Sequence, residues 1–158
     1  QTTKRFIIIT TILLTIGILI TLLVLFIKPN KHVINREANL RWNRTGITIA
    51  GNTSFPGTGN TQLNTPRGAT VDYQNTLYIA DTLNNRTQKY VMGAKYGITV
   101  AGNANGASGS NLSELYFPSQ VLVSSNGYMF VADTNNYRIM LWRNSSTSGE
   151  IVAGITGK

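Results

Sequence analysis

The segment IADTLNNRTQKY at residues 79–90 recurs as VADTNNYRIMLW at residues 131–142, which places Asp81 and Asp133 fifty-two residues apart. Self-similarity at a period of about this length is the signature of an array of similar supersecondary units. The fold therefore follows from the structure of one unit and from the way that units stack.

Landmarks on both sides of this segment keep nearly the same spacing. Pro66 precedes the first copy as Pro118 precedes the second, and the tripeptide IAG at residues 49–51 returns as VAG at residues 100–102 and 152–154. The repeated unit is therefore longer than the segment that identifies it.

Each unit is predicted to be a small antiparallel sheet. Its apolar residues alternate or cluster in short runs rich in β-branched and aromatic side chains, which favours strands over helices. The eight predicted strands are residues 69–72, 77–80, 86–91, 98–101, 121–124, 128–132, 138–142 and 151–153. A leading strand is expected over Ile47 to Ala50. Asn126-Gly127 predicts a tight hairpin in the second unit, whereas the first unit, with Tyr73-Gln74-Asn75, is expected to need a longer turn.

Long loops connect the units. Residues 51–66 and 102–118 are dense in turn-forming residues, and each loop ends at a proline, which removes a ladder donor where the next strand begins. A four-stranded sheet followed by a long crossing loop, repeated, indicates β-propeller blades, of which about four to eight are needed for closure. The chain supplies about two complete blades.

The order of these motifs resembles the NHL repeat of β-propellers, from about residue 42 to residue 158. The resemblance is carried by Leu63-Asn64-Thr65-Pro66 and by YIADTLNNR at residues 78–86. The second copy has Tyr137 where the first has Asn85, and Thr87 stands where the family usually has an aliphatic residue. The shared signature residues, which we interpret as structural, are Pro66, Asp81, Thr82, Asn84, Arg86, Pro118, Asp133, Thr134, Asn136 and Arg138.

Residue type and position predict a physical role for each of these residues in the first copy. Their counterparts in the second copy are expected to have the same roles. Asp81 ends a strand, where its carboxylate is expected to accept hydrogen bonds from backbone donors in the turn. Asn84 suits a turn position with left-handed φ. Arg86 is placed to reach the carboxylate or a neighbouring blade. A Ca²⁺ or ligand site centred on Asp81 is the alternative, but recurrence in each unit is typical of a structural part.

The first fifth of the chain has a different composition. Residues 6–27 contain no charged side chain, and a helix of that length would cover about 33 Å, enough to cross a bilayer core of roughly 30 Å. We therefore predict a short cytoplasmic tail at residues 1–5, a transmembrane signal anchor at 6–27 and a basic linker at 28–41. A cleaved signal peptide is the alternative, although the apolar run is longer than an h-region and ends in Lys28-Pro29.

The orientation of this anchor is predicted from two opposing signals. Basic residues are more numerous after the apolar run than before it, which by itself favours a cytosolic position for the repeats. Five glycosylation sequons, all after the run, favour an extracellular or lumenal position, which we adopt. Their acceptors are Asn43, Asn52, Asn85, Asn111 and Asn144.

Charge and composition narrow the functional classes. The net charge is +8, of which residues 1–41 carry +5, so the repeats carry a thin excess of +3 that is more typical of a solvated surface than of a nucleic-acid site. Cysteine is absent, and the one histidine, His32, lies outside the repeats. No catalytic residue, metal site or cofactor is therefore predicted.

These features favour a single-pass membrane protein whose propeller-like part binds a protein, peptide or glycan. The long loops at residues 52–65 and 103–117 are its expected contact surface. Two alternatives stay open. One is a fragment of a propeller lyase or hydrolase with its metal site in other blades. The other is an RNA-binding propeller, for which Lys89, Tyr90, Lys95, Tyr96, Trp142 and Arg143 offer basic and aromatic side chains.

Overall fold

The computed structural model describes residues 6–10, 22–26 and 43–155. These residues divide into two compact units, with the boundary between Arg44 and Thr45. In the first unit, strand β1 (Phe6–Thr10) pairs antiparallel with strand β2 (Leu22–Phe26), and Phe6 lies opposite Phe26.

The strands β1 and β2 differ from the continuous helix predicted over residues 6–27. Short runs of Ile, Leu, Val and Phe carry no periodicity that separates a strand from a helix, and β-branched residues are enriched in strands. No helix in the described part of the chain has the length and apolar character that a bilayer crossing requires. Residues 1–5, 11–21 and 27–42, with the rest of the predicted anchor, the tail and the linker, lie outside the described residues.

The second of these compact units contains both sequence repeats. It is all-β, as predicted, and consists of two four-stranded antiparallel sheets, one for each repeat. Sheet 1 has the strand order β3 (Pro66–Val71), β4 (Leu77–Asp81), β5 (Arg86–Tyr90) and β6 (Ile98–Gly102). Sheet 2 has the order β7 (Pro118–Val123), β8 (Met129–Asp133), β9 (Arg138–Trp142) and β10 (Glu150–Gly154). Each sheet is therefore a simple meander, in which every strand pairs with the next one along the chain.

The eight strand predictions within the sheets are confirmed, with small differences at the ends. Strands β3 and β7 begin earlier than predicted, at Pro66 and Pro118, because a proline at the first position costs no ladder hydrogen bond. The predicted strand from Ile47 to Ala50 is wrong. It has no neighbouring strand to pair with among residues 43–155, and the side chain of Ile47 is 85% exposed.

The turn between β3 and β4 and the turn between β7 and β8 are equivalent, although only the second was predicted to be tight. In sheet 1 the Asp72 N–H donates to the Thr76 carbonyl, and in sheet 2 the Ser124 N–H donates to the Tyr128 carbonyl. Asn75 adopts φ 61° where Gly127 adopts φ 82°. Asparagine is one of the few residues that tolerate this conformation, so the first turn needs no additional residue.

Left-handed backbone positions recur throughout the second unit at the same spacing. Their residue types differ, but six of the seven such positions from Gly51 to Gly102 have a left-handed counterpart fifty-two residues later, Gly51 being the exception. The pairs are Ser54 and Gly106, Thr65 and Phe117, Asn75 and Gly127, Asn85 and Tyr137, Gly93 and Ser145, and Gly102 and Gly154. The path of the backbone is therefore shared by the two sheets even where their sequences differ.

The hydrophobic core lies between the sheets, where β7 packs against β3 and β4. Sheet 1 contributes small side chains, Ala80 and Ala101, and sheet 2 contributes larger ones. The larger buried side chains are Val121, Met129, Val131, Met140 and Trp142, joined by Leu115 from the connecting loop. Burial of each large apolar side chain stabilises the fold by about 1.5–3 kcal/mol, so this shared core holds the sheets together.

Gly102, the last residue of sheet 1, lies close to the backbone of Asn85, and this contact leads to a prediction about stability. Gly102 has φ +79°, and a Cβ there would meet the carbonyl oxygen of Asn85, whereas Gly93 has φ +78° with open space around it. We expect Gly93→Ala to cost about 1 kcal/mol from backbone strain alone. Gly102→Ala is expected to cost about 3 kcal/mol, because the clash adds to the strain. Denaturant unfolding of both variants measures the difference, and equal losses would contradict the importance of the contact.

Candidate functional site

The signature residues of sheet 1 form a buried ion pair. The Asp81 carboxylate accepts hydrogen bonds at Oδ2 from Arg86 Nε at 2.8 Å and from Asn84 Nδ2 at 2.9 Å. Its Oδ1 accepts from the backbone N–H of Asn64 at 2.6 Å. The side chains of Asp81 and Arg86 are 0% and 2% exposed. A charge buried this deeply is tolerated only when it is paired and fully hydrogen-bonded, and this carboxylate meets both conditions.

The guanidinium of Arg86 also binds the loops around sheet 1. Its Nη1 donates to the Thr58 carbonyl at 2.6 Å and to the Ala104 carbonyl at 2.8 Å. Its Nη2 donates to the carbonyls of Gly59 and Gln62 at 3.1 and 3.2 Å. One arginine therefore holds the loop that precedes the sheet and the loop that follows it.

Sheet 2 repeats this arrangement at equivalent positions. Asp133 Oδ2 accepts from Arg138 Nε and from Asn136 Nδ2, each at 2.8 Å, and Oδ1 accepts from the Tyr116 N–H at 2.7 Å. The guanidinium donates to carbonyls of the preceding loop, those of Ser110, Asn111 and Glu114. Every one of these loop residues stands fifty-two positions after a loop residue that contacts Arg86 or Asp81.

Two of the roles predicted for these residues are corrected by the structure. The backbone donor to each aspartate comes from the preceding loop, and neither aspartate makes a side-chain cap to the turn that follows it. The left-handed residues are Asn85 at φ 50° and Tyr137 at φ 54°, one position after the predicted asparagines. Asn84 and Asn136 lie within short 3₁₀ helices, η1 (Thr82–Asn84) and η2 (Thr134–Asn136), and contribute their side-chain amides instead.

The threonines and prolines of the signature lie at the joins between strands. Thr82 Oγ1 donates to the Pro118 carbonyl at 2.7 Å, which ties sheet 1 to the first strand of sheet 2. Thr134 Oγ1 donates to Ser119 Oγ at 2.6 Å within sheet 2. Pro66 lies opposite Asp81 in the strand register, as Pro118 lies opposite Asp133.

The alternative of a cation site at the aspartates faces direct competition. Both oxygens of each carboxylate already accept N–H donors, and an arginine supplies the opposite charge. A Ca²⁺ ion prefers six to eight oxygen ligands, so it would have to displace these contacts. Within the described ranges, no group of three His, Cys, Asp or Glu side chains is placed to hold a metal ion. The geometry of the two clusters therefore serves to hold loops.

A groove between the sheets is the site that the sequence did not indicate. One cavity of about 470 Å³ and another of about 390 Å³ share Tyr78, Lys89, Gly127 and Asn144 in their linings, and we call this region the inter-sheet groove. Short turns from both sheets complete its walls, including residues 72–74 and 144–147. Its volume is in the usual range for small-ligand sites.

Lys89 is the principal charge in this groove. Its Nζ lies 5.7 Å from the ring centroid of Tyr78, and it forms no ion pair with a described carboxylate. Asp72, which also lines the groove, accepts the backbone N–H groups of Gln74 and Thr76 and so stabilises its own turn. A cation held on an aromatic face without a carboxylate partner attracts negatively charged or acceptor-rich groups.

Arg143, also on the groove wall, has a different environment. It forms two hydrogen bonds to Glu150 and lies over the ring of Tyr128 at 5.1 Å. The hydrogen bonds from Arg143 hold the pKa of the Glu150 carboxyl below its ordinary value, followed by the charge of the guanidinium. Both side chains are about half exposed, so solvent screens the pair and its charge is already balanced.

The loops that were expected to contact a ligand lie mostly outside the groove, and some of the basic and aromatic residues considered for RNA binding are buried. Loops 52–65 and 103–117 are held to the sheets by Arg86 and Arg138, and only Asn103 and Ser113 of the second loop reach the groove. Tyr90 and Trp142 are buried in sheet packing, each 3% exposed, whereas Tyr96 is open to solvent. Lys89 and Tyr90 are neighbours on one strand, so they point to opposite faces of sheet 1.

The sequon asparagines differ in how accessible their amides are. Asn43, Asn52, Asn111 and Asn144 are exposed. Asn85 is half-buried, its Nδ2 donates to the Gly106 carbonyl at 3.0 Å, and its Oδ1 accepts from the Phe117 N–H at 2.9 Å. A glycan on Asn85 would disturb this contact between loops, and one on Asn144 would stand at the inter-sheet groove.

Comparison with known proteins gives no family assignment. No protein-family model matches the chain, and no curated protein matches it. The sequence pattern and the geometry of the described residues are therefore the basis for a functional proposal.

The buried ion pair predicts a large effect from a nearly isosteric change. Asp81→Asn removes the charge that balances Arg86, and we expect a loss of about 3–5 kcal/mol in unfolding free energy. Glu150→Gln breaks the exposed Arg143–Glu150 pair and is expected to leave stability almost unchanged. Denaturant unfolding compares the two variants. Amide exchange over residues 57–62 should accelerate only in Asp81→Asn, and similar behaviour of both variants would contradict this assignment.

Tyr90 predicts a pH dependence at alkaline pH. Burial raises the pKa of its hydroxyl above the ordinary value of 10.0, and the charge of Asp81 raises it further. Above about pH 10 the unfolded chain therefore loses this proton before the folded chain does, so stability falls as pH rises. Tyr90→Phe should lose less stability than the native chain between about pH 8 and about pH 11. Parallel profiles in thermal unfolding would show that Tyr90 titrates alike in both states.

Proposed function

We propose that residues 42–158 form blades of an NHL-type β-propeller that acts as a binding module for a protein, peptide or glycan ligand. Two meander sheets joined by a long crossing loop support this interpretation, as do the equivalent Asp-Asn-Arg clusters that hold the loops. The inter-sheet groove is the observation that carries the binding function, because turns from both sheets line it on a rigid scaffold.

The chemistry of the groove favours a polar, acceptor-rich ligand. Asn126, Asn144 and residues 145–147 offer amide and hydroxyl groups, and Tyr78 offers part of an aromatic face. Carbohydrates and extended peptides present the matching donors and acceptors along their length. Lys89 adds a positive charge without a carboxylate partner, so a carboxylate on the ligand gains most there.

Attachment to a membrane is a further part of this proposal. It rests on composition, since residues 6–27 form an uncharged run of twenty-two residues whose transfer into hydrocarbon is favourable. The repeats would then face the extracellular or lumenal side, where Asn43, Asn52 and Asn111, the exposed sequon asparagines outside the groove, meet the glycosylation machinery. Release of the full chain from membranes by alkaline carbonate would contradict attachment, and unchanged gel mobility after glycosidase treatment would contradict this orientation.

Binding is tested by removing the charge of Lys89. We expect the full chain, in detergent, to bind members of a glycan array or an immobilised peptide library that carry carboxylates. Lys89→Met should weaken this binding by about tenfold or more, which corresponds to about 1.4 kcal/mol. Lys95→Met, on an exposed turn outside the groove, is the matched control and should bind as the native chain does.

Two results would contradict the proposed site. Equal binding by both lysine variants would place the contact elsewhere on the surface. Salt-dependent retention on single-stranded RNA without any binding to glycans or peptides would favour a nucleic-acid function instead.

A further inference from the structure

Each sheet has one face buried against the other sheet and one face that no described residue stacks on as a sheet. The open face of sheet 1, which we call the leading face, carries Ala69, Val71, Leu77 and Ile79, which are paired in register across β3 and β4. The open face of sheet 2, which we call the trailing face, carries Leu122, Phe130, Ile139 and Leu141 across β7, β8 and β9, of which only Leu141 is buried, at 7% exposure.

The leading face of sheet 1 is equivalent in sequence position to the face of sheet 2 that packs against sheet 1. The four residues of the leading face correspond, fifty-two positions later, to Val121, Val123, Met129 and Val131. Those counterparts lie in the core between the sheets or pack against it. Val71, in contrast, is 57% exposed. Ala69, Val71 and Leu77 are therefore at least partly exposed in sheet 1 at positions that sheet 2 uses to dock on its neighbour, whereas Ile79 is 5% exposed.

The trailing face of sheet 2 is equivalent in sequence position to the face of sheet 1 against which sheet 2 packs. Its residues correspond to Thr70, Tyr78, Thr87 and Lys89 of sheet 1, and they are more apolar at every one of these positions. Leu122 is 57% exposed and Ile139 is 37% exposed. An exposed apolar surface of this kind marks an interaction site, because its burial is favourable.

A buried, unpaired polar atom lies on the leading face as well. Gln88 stands opposite Ile79 in the register of β4 and β5, and it occupies the position that corresponds to Met140 in sheet 2. Its side chain is 1% exposed, and its Oε1 has no hydrogen-bond partner. Such a group is rare in folded proteins, and its burial, like that of Ile79, shows that this part of the leading face is already covered within the chain.

We infer that the leading face of one chain docks on the trailing face of a second copy of this chain. The internal contact between sheet 1 and sheet 2 is the template, and the two open faces are complementary to each other because they are its two sides. Such a head-to-tail interface is heterologous, so repeated docking gives a closed ring or an open fibre. Closure of a ring of four to eight sheets would take about two to four copies.

Complementary blocking variants test this arrangement in the full chain, in detergent. Val71→Asp places a charge on the leading face only, and Leu122→Lys places a charge on the trailing face only. Both native side chains are more than half exposed, so the variants should fold, which circular dichroism verifies. Met92→Asp, at a 69% exposed position in the turn after β5, is the matched control outside both faces.

Light scattering, corrected for detergent, measures the mass of each sample. The native chain and Met92→Asp should form assemblies of two to four copies, whereas Val71→Asp and Leu122→Lys should each be monomeric. A mixture of the last two should give a one-to-one dimer and nothing larger, because one variant retains the trailing face and the other retains the leading face.

Three results would overturn the inference. The first is a native chain that stays monomeric at its highest soluble concentration, which would leave a sheet from a longer polypeptide or a different protein as the partner. The second is assembly that persists in both blocked variants, as expected if the apolar N-terminal segment drives it. The third is a mixture of the blocked variants that stays monomeric. Ligand binding through Lys89 is measured separately, so failure of one proposal does not affect the other.

Discussion

The buried pairing of Asp81 with Arg86, and of Asp133 with Arg138, is the constraint on which the rest of the second unit depends. A carboxylate and a guanidinium without water are stable only if every donor and acceptor is used, and the loop backbone supplies the partners that the sheet lacks. A glycine-rich loop without secondary structure would otherwise lose little free energy by leaving the sheet. The ion pair thus converts an irregular loop into a fixed part of the fold.

The same constraint explains how the inter-sheet groove is formed. Because the long loops are held near the 3₁₀ helices, the connection from β6 to β7 brings sheet 2 against sheet 1 with a defined orientation, and Thr82 adds a direct hydrogen bond across the join. The small Ala80 and Ala101 allow the larger side chains of sheet 2 to enter. Near the hairpin turns, Tyr78 and Lys89 line the inter-sheet groove in place of a closed core.

Much of the fold was predictable because strands depend on local features. Alternation of apolar residues, turn-forming residues and prolines predicted eight strands, since each of these signals acts over a few neighbouring residues. One prediction was wrong because its outcome depended on a pairing partner: the strand from Ile47 to Ala50 had the right composition but no neighbour in the described residues. The membrane anchor at residues 6–27 stays a prediction, because only β1 and β2 of this run are described and its composition has no periodicity that separates a helix from strands. Asn84 and Asn136 were correctly placed in a turn, but their amides contribute through contacts with distant loop carbonyls.

The sequence alone determined that this chain contains two equivalent β units and an apolar first segment, because spacing and composition are properties of the chain itself. Only the tertiary structure decided which atoms the signature residues bind and that a groove opens between the sheets. It also decided which face of each sheet packs against the other sheet. The physical reason is that hydrogen-bond partners, burial and cavity shape depend on residues brought together from tens of positions apart, and no local pattern records how two surfaces meet.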